Sequence, residues 1–146
     1  MRALILTILL AAPAWAAAQT AEDSVLAPVK ALFDAMRMGD SATIAACFTD
    51  SAKLDGISER GMARVSRTRF AHIISSLPKG SCDERPHYDL VRVDRSLAMV
   101  WAPYEFYFKG TFHHCGTDSF EIIRVGGVWR IHYAISTEWS TGCAGH

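Results

Sequence analysis

The chain has 146 residues, half of them hydrophobic, and its 15 Lys and Arg residues are balanced by 15 Asp and Glu residues. The resulting net charge of zero gives no electrostatic reason to bind nucleic acid or an anionic membrane surface. A chain of this length is typical of one domain with a substantial hydrophobic core.

Residues 1–18 have the pattern of a secretory signal peptide. Arg2 is a short positive segment, residues 3–10 are apolar, and AWAAAQ supplies small residues for cleavage. The apolar run is too short to span a bilayer. We expect cleavage after Ala18, with Ala16 as the other candidate, and a single periplasmic or secreted domain over residues 19–146. An uncleaved membrane anchor is the alternative.

Three helices are predicted in the first half of the chain. The first begins at Asp23 or Ser24, has Pro28 in its first turn, and repeats apolar residues at helical spacing. A short second helix begins at Ser41, and Ser66 can cap a third. The apolar positions of the first helix are Val25, Val29, Leu32, Phe33 and Met36.

The second half of the chain predicts strands. Two short ones, AKLDGI and GMARV, are followed by longer runs rich in aromatic and β-branched residues, separated by the turn signals DRS, KG and GG. Helices followed by a meander of antiparallel strands indicate an α+β fold, in which the helices pack on one face of a curved sheet.

Tight turns at residues 109–110 and 126–127 predict the register of two long hairpins. In this register Trp101 and Ile135 lie opposite Asp118, and Glu105 lies opposite His114. Because side chains alternate between faces, a slip of one residue would exchange the faces. The predicted inner face contains Leu97, Met99, Trp101, Glu105, His114, Asp118, Phe120, Ile122, Trp129, Ile131, Tyr133, Ile135 and Trp139.

Several stretches together resemble the nuclear transport factor 2-like superfamily: VWAPYEFY, HCGTDSF, GVWRIHYAIST and the GC near the end. The chain resembles more narrowly the exported bacterial members described as SnoaL-like or putative lumazine-binding. The resemblance implies a cone-shaped fold, with N-terminal helices packed into a strongly curved antiparallel sheet and a pocket at its open end. It also implies a homodimer through the outer sheet face. The superfamily includes isomerases, dehydratases, cyclases and non-catalytic binders, so it implies the fold more closely than the activity.

Asp118 is the leading candidate for a functional residue. A carboxylate enclosed by Trp101, Phe120 and Ile135 would have a raised pKa and could act as a general base or contact a ligand. His114 lies four residues earlier on the same predicted face, where it could shuttle protons. The alternative is that both residues are structural.

Five residues are predicted to line the ligand pocket: Phe33, Trp101, Asp118, Trp129 and Tyr133. Packing in the core is the alternative for Trp129 and Tyr133. A glycine inside a strand favours a kink, and we expect Gly116 opposite Pro103 to bend the sheet.

Four cysteines are present, which allows three disulfide pairings in an exported protein. The resemblance implies a bridge between Cys115 and Cys143, whereas Cys47 and Cys82 could pair or remain buried thiols. We expect no cofactor.

We also expect no metal ion. His113, Glu121 and His132 are predicted on the outer face, without a metal-binding spacing.

We therefore expect an exported domain that binds a small apolar or aromatic molecule. One alternative is an acid–base isomerase or dehydratase that uses Asp118 with His114 or Tyr133. Another is a structural or interaction protein whose pocket is closed. The residues alone do not decide whether the protein is an enzyme.

Overall fold

The computed structural model describes residues 14–143, and the side chains of residues 21–143. Residues 1–13 of the predicted signal peptide lie outside the described residues. The helices are α1 (Ala14–Met38), α2 (Ser41–Ala46) and α3 (Arg67–Ser75). The strands are β1 (Phe48–Ser58), β2 (Gly61–Val65), β3 (Cys82–Pro86), β4 (Leu90–Asp94), β5 (Leu97–Phe108), β6 (Thr111–Val125) and β7 (Val128–Glu138).

The seven strands form one curved sheet with the order β2-β1-β7-β6-β5-β3, and β4 pairs with β5 beside β3. Every pair is antiparallel except β1 and β7, which run in the same direction. The predicted α+β class is thus confirmed. The sheet departs from a purely antiparallel one because β1 joins it beside β7.

The predicted starts of the two shorter helices are confirmed by their caps. Asp40 Oδ1 accepts from the backbone nitrogens of Ala42 and Thr43, both at 3.1 Å, and Ser66 Oγ accepts from that of Arg69 at 3.2 Å. The predicted start of α1 was too late, because the alanine-rich segment before Asp23 favours helix and extends α1 back to residue 14. Within the described residues, no helix is long and apolar enough to cross a membrane.

The core lies between α1 and the concave face of the sheet. Val25, Val29 and Phe33 of α1 are buried against a sheet surface that includes Phe120 and Ile131. The rings of Phe33 and Phe120 meet edge to face with centroids 6.2 Å apart. Such a pair stabilises a core by about 0.5–1.5 kcal/mol beyond the area it buries.

Two one-residue bulges in β6 and β7 change the predicted register. Both turns pair as predicted, Phe108 with Thr111 and Val125 with Val128, but His113 is an extra residue in β6 and His132 an extra residue in β7. Beyond each bulge the pairing shifts by one residue.

The shift makes several predicted partners wrong. Asp118 lies opposite Ala102 and Ser136 instead of Trp101 and Ile135. His114 lies opposite Phe106 instead of Glu105. The face of β5 that was predicted to point inward is therefore the outer face, and the buried row is Ala98, Val100, Ala102 and Tyr104.

Gly116 lies where the sheet brings three strands into close contact. Its partner on β5 is Tyr104, while Pro103 pairs with Thr117, one residue from its predicted place. The Tyr104 hydroxyl crosses to β7 and donates to the carbonyl oxygen of Thr137 at 2.8 Å. A Cβ atom at position 116 would lie 1.8 Å from that carbonyl oxygen and 2.8 Å from the Tyr104 hydroxyl.

We predict that Gly116→Ala destabilises the protein by about 3 kcal/mol or more, because the obstructing atoms include backbone and strain of this kind is costly. Gly56→Ala is the matched control, since a Cβ there would meet only Ser136 Oγ at 3.9 Å. Urea unfolding of both variants measures the difference. Equal stability of the two variants would show that the strands accommodate a side chain at position 116.

Candidate functional site

A cavity of about 250 Å³ lies between the helices and the concave face of the sheet. The polar side chains of its lining belong to Asp55, Glu84, Tyr104, Asp118 and Ser136. Its wall is otherwise mainly apolar, with side chains of Leu32, Phe33, Met36, Phe48, Leu54, Val65, Phe70, Phe120 and Ala134. An apolar cavity with a few converging polar groups is the usual form of a small-molecule site.

Asp118 lies on β6 with its side chain directed into this cavity. Only 6% of the residue is exposed, and its Oδ2 atom has no hydrogen-bond partner. A buried polar atom without a partner costs about 1–3 kcal/mol and is rare in native proteins. Asp118 thus lies on the concave face of the sheet, where Ala102 and Ser136 flank it in place of the predicted Trp101 and Ile135.

Glu84 on β3 provides a second carboxyl group, which sequence reasoning missed. Part of the residue is exposed, but its carboxyl group lies inside the protein and shares a hydrogen bond with the carboxyl group of Asp118. One feature of the sequence could have placed Glu84 on the inner face. It lies two residues after Cys82, which is buried, and alternate residues of a strand share a face. The polar stretch CDERP carries no apolar row that would have predicted a strand.

The two carboxyl groups share their proton unequally. Burial raises the pKa of both groups, and the negative charge of Glu84 and its hydrogen bond raise that of Asp118 further. The hydrogen bond with Asp118 and the charge of Arg37 partly offset the rise in the pKa of Glu84. Asp118 is therefore the protonated member and Glu84 the member that ionises first.

Arg37 lies near the carboxyl groups of Glu84 and Asp118 but is held by two other acidic residues. Its Nε donates to Asp83 Oδ1 at 2.9 Å, and its Nη1 donates to Asp34 Oδ1 at 3.0 Å. The guanidinium thus supplies positive charge near Glu84 while its own hydrogen bonds go to Asp83 and Asp34.

Tyr104 closes the end of the cavity. The residue is 4% exposed, and its hydroxyl is already committed to the Thr137 carbonyl. Burial raises the pKa of Tyr104 well above its usual range, so the phenol stays protonated. It is a rigid wall of the cavity.

Three of the five predicted pocket residues lie elsewhere. Trp101 is 46% exposed on the outer face, because the bulge at His113 reverses the predicted orientation of β5. Tyr133 also lies on the outer side after the bulge at His132, where its hydroxyl donates to Asp55 Oδ2 at 2.9 Å. Trp129 packs at the edge of the core with the guanidinium of Arg124 5.9 Å from its ring. Phe33 and Asp118 do line the cavity.

Asp55, which Tyr133 contacts, is held mainly by Arg64. The guanidinium donates to both carboxylate oxygens, at 2.6 and 2.7 Å, and together with the Tyr133 hydroxyl lowers the pKa of Asp55 to about 2. This ion pair accounts for the buried carboxylate at position 55 as a structural feature of β1 and β2.

His114 is separated from Asp118. Its ring stacks on Phe106 with centroids 4.8 Å apart and contacts Tyr104 edge-on at 5.7 Å. Its acidic neighbour is Glu138, with Nδ1 and Oε1 4.0 Å apart, instead of the predicted Glu105. A relay from Asp118 to His114 or Tyr133 is thus not supported by the geometry.

The structure joins Cys115 and Cys143 in a disulfide, the pairing that the resemblance implied. Cys115 is fully buried beneath the end of the chain, and its backbone pairs with Trp139. Cys47 and Cys82 are free thiols buried in the core.

Comparisons with known proteins agree with this architecture. A family model described as "Putative lumazine-binding" matches residues 20–135. An NTF2-like protein from Silicibacter pomeroyi superposes with a TM-score of 0.70 at 20% identity, over 84% of this chain and 98% of the other. One from Shewanella baltica has a TM-score of 0.69 at 13% identity, over 84% and 97%.

A ketosteroid isomerase-like protein from Erwinia carotovora atroseptica has a TM-score of 0.63 at 18% identity, over 82% of this chain and 97% of the other. At these identities the solved structures show a shared fold alone. A search of curated protein sequences finds no match.

The shared proton predicts a pH dependence of stability. Because the folded pair binds protons more tightly than two exposed carboxyl groups, the pair's contribution to stability is fully present below about pH 4 and is lost as the pH rises through the raised pKa values. The slope approaches about 1.4 kcal/mol per pH unit for one full proton. Asp118→Asn should make this decline shallower.

Urea unfolding between pH 4 and pH 8 checks the pH prediction, with the exposed Asp94→Asn as the matched control. A wild-type slope that Asp118→Asn and Asp94→Asn leave equally unchanged would show that the proton is not held at Asp118.

Proposed function

The chain belongs to the putative lumazine-binding family of NTF2-like proteins, and we propose that it is an exported domain, residues 19–146, that binds a small aromatic molecule. The observation that carries the proposal is the Oδ2 atom of Asp118, buried and without a partner, at the wall of an apolar cavity. A ligand that bonds this atom would remove the cost of leaving it unsatisfied.

The size of the cavity limits the ligand to a small one. A volume of about 250 Å³ equals that of roughly eight water molecules in the liquid. Phe33, Phe48, Phe70 and Phe120 provide aromatic surface around it. One or two fused rings with few substituents suit this space.

The carboxyl pair sets the polar pattern that the ligand must match. Asp118 directs its proton to Glu84, so its unpartnered Oδ2 atom can accept a hydrogen bond from the ligand. A ring edge that presents an N–H group, as in a cyclic amide, complements this acceptor. Lumazine, a fused pteridine-dione, has such edges and is named in the description of the family, which makes it the first compound to test.

We predict that the purified protein binds lumazine or a similar cyclic amide at one site per chain and that Ala134→Leu abolishes binding. Ala134 lines the cavity, and the larger side chain would occupy the ligand space. Ala42→Leu on the exposed surface of α2 is the matched control. Titration calorimetry measures affinity, and native mass spectrometry detects any molecule that co-purifies.

Asp118→Asn tests the polar part of the proposal. We expect it to lower the affinity about tenfold, which is the usual effect of losing one hydrogen bond to a charged or buried partner. Binding that is the same in wild type, Ala134→Leu and Asp118→Asn would place the ligand outside the cavity. A panel of cyclic amides, steroids and quinones without any binder would contradict the proposal.

An acid–base enzyme is the second candidate, favoured by the proton held between Asp118 and Glu84. A carboxyl group of raised pKa beside an open cavity can transfer a proton to a bound carbonyl compound. In this alternative Glu84 takes the place of His114 and Tyr133. The same ligand panel, incubated in D₂O, separates the candidates: deuterium incorporation that Asp118→Asn abolishes indicates catalysis, and an unchanged ligand indicates binding alone.

The third hypothesis, a closed pocket in a structural protein, is not favoured by the cavity volume. Export is supported by the signal-like residues 1–18 and by the disulfide between Cys115 and Cys143, which needs an oxidising compartment. The intact mass in the same native spectra should correspond to a chain that lacks residues 1–18.

A homodimer is also proposed, with the outer sheet face as the contact. Leu97, Met99 and Trp101 of β5 are 52%, 38% and 46% exposed and lie side by side on this face. A second copy would cover them.

We predict that Trp101→Glu yields a monomer, because a charge would be buried at the contact. Val125→Glu changes an equally exposed apolar residue at the β6–β7 turn and should leave the dimer intact. Light scattering after gel filtration measures the mass, and a monomeric wild-type protein would refute the contact.

A further inference from the structure

The bulge at His113 creates a second cluster of functional groups outside the cavity. Adjacent residues of a regular strand point to opposite faces, but at a bulge they can point to the same side. His113 and His114 do so, and their Nδ1 atoms are 2.8 Å apart. Bulges often re-aim side chains beside functional sites.

Glu138 at the end of β7 is the third member of the cluster. Its Oε1 lies 4.0 Å from His114 Nδ1, and one ligand atom from each of the three residues lies within 4.8 Å of the others. These atoms face a pocket of about 210 Å³, which Ser58, Glu59, Arg60 and Ser140 also line.

The two imidazole rings are held in place by aromatic neighbours. His114 stacks on Phe106, and His113 meets the edges of Phe106 and Phe108 at 6.1 and 6.4 Å. Only 12% of the His114 side chain is exposed.

The contacts within the cluster leave the carboxylate without a bond to the imidazole. A hydrogen bond between the two rings satisfies only one side of each, and the distance of 4.0 Å from Glu138 to His114 is too long for a hydrogen bond. The hydrogen bond joins the two Nδ1 atoms themselves, so a metal ion bound there would replace it, with each ring carrying its proton on Nε2.

We propose that His113, His114 and Glu138 bind a divalent transition-metal ion through Nδ1, Nδ1 and a carboxylate oxygen. Two histidines and one glutamate form a ligand set that suits Zn²⁺ and leaves a coordination position open. This proposal departs from the expectation, drawn from the sequence, that the protein binds no metal.

The geometry requires only small movements. Zn–N bonds of about 2.0–2.1 Å in a tetrahedral site place two nitrogens about 3.3 Å apart, so the Nδ1 atoms must separate by roughly 0.5 Å. Glu138, whose side chain is 54% exposed, is free to approach by a similar distance. Arg60 at the pocket wall favours a small anion or a polarised water at the open position.

The site is independent of the proposed ligand cavity and is tested on protein without a histidine tag. Titration calorimetry with ZnCl₂ should show one ion per chain, and His113→Asn and Glu138→Gln should each weaken binding at least about tenfold. Both side chains are exposed, so we expect the variants to fold, and thermal unfolding checks this.

His87→Asn is the matched control, because His87 Nδ1 contacts Asp89 Oδ1 in an exposed pair without a second histidine. This variant should retain wild-type affinity. Zinc should also raise the unfolding temperature of wild type, and EDTA should reverse the increase. No saturable binding, or binding that His113→Asn and Glu138→Gln leave unchanged, would overturn the proposal.

Discussion

Two single-residue bulges, at His113 in β6 and His132 in β7, set the orientation of the long hairpins. Because side chains alternate strictly along a strand, one extra residue decides which row of the neighbouring strand is buried. The bulges bring Tyr104 and Ala134 to the concave face and turn Trp101 to the outer face. The apolar cavity and its polar end therefore depend on these two positions.

The carboxyl pair is the costly feature that this orientation makes possible. Two buried acids would repel each other if both were ionised, and the shared proton removes most of that repulsion. The Asp118 Oδ2 atom still has no partner, so the fold retains an unfavourable group that a ligand can satisfy. Sites of this kind are typically destabilising for the free protein and favourable for binding.

The sequence predicted the elements better than their pairing. The start of α2 at Ser41, the helix cap at Ser66, the turn at residues 109–110 and the α+β class follow from local rules, and the structure agrees. The bulges could not be predicted from the sequence. The strands β6 and β7 already mix polar and aromatic residues irregularly, so one additional histidine does not visibly interrupt the alternation of side chains. Glu84 was missed for a related reason: β3 is short and polar, and long-range pairing with β5 places its carboxyl beside Asp118.

Tyr104 separates the cavity from the histidine cluster and contacts both. Its ring meets His114 at 5.7 Å, while its hydroxyl is fixed to Thr137 above Gly116. Coupling between two sites requires an element with two arrangements whose balance both ligands shift. The structure shows one arrangement of Tyr104, with its hydroxyl bonded to Thr137 and its ring edge-on to His114. The two proposed sites therefore share a wall in which no second arrangement that would couple them is seen.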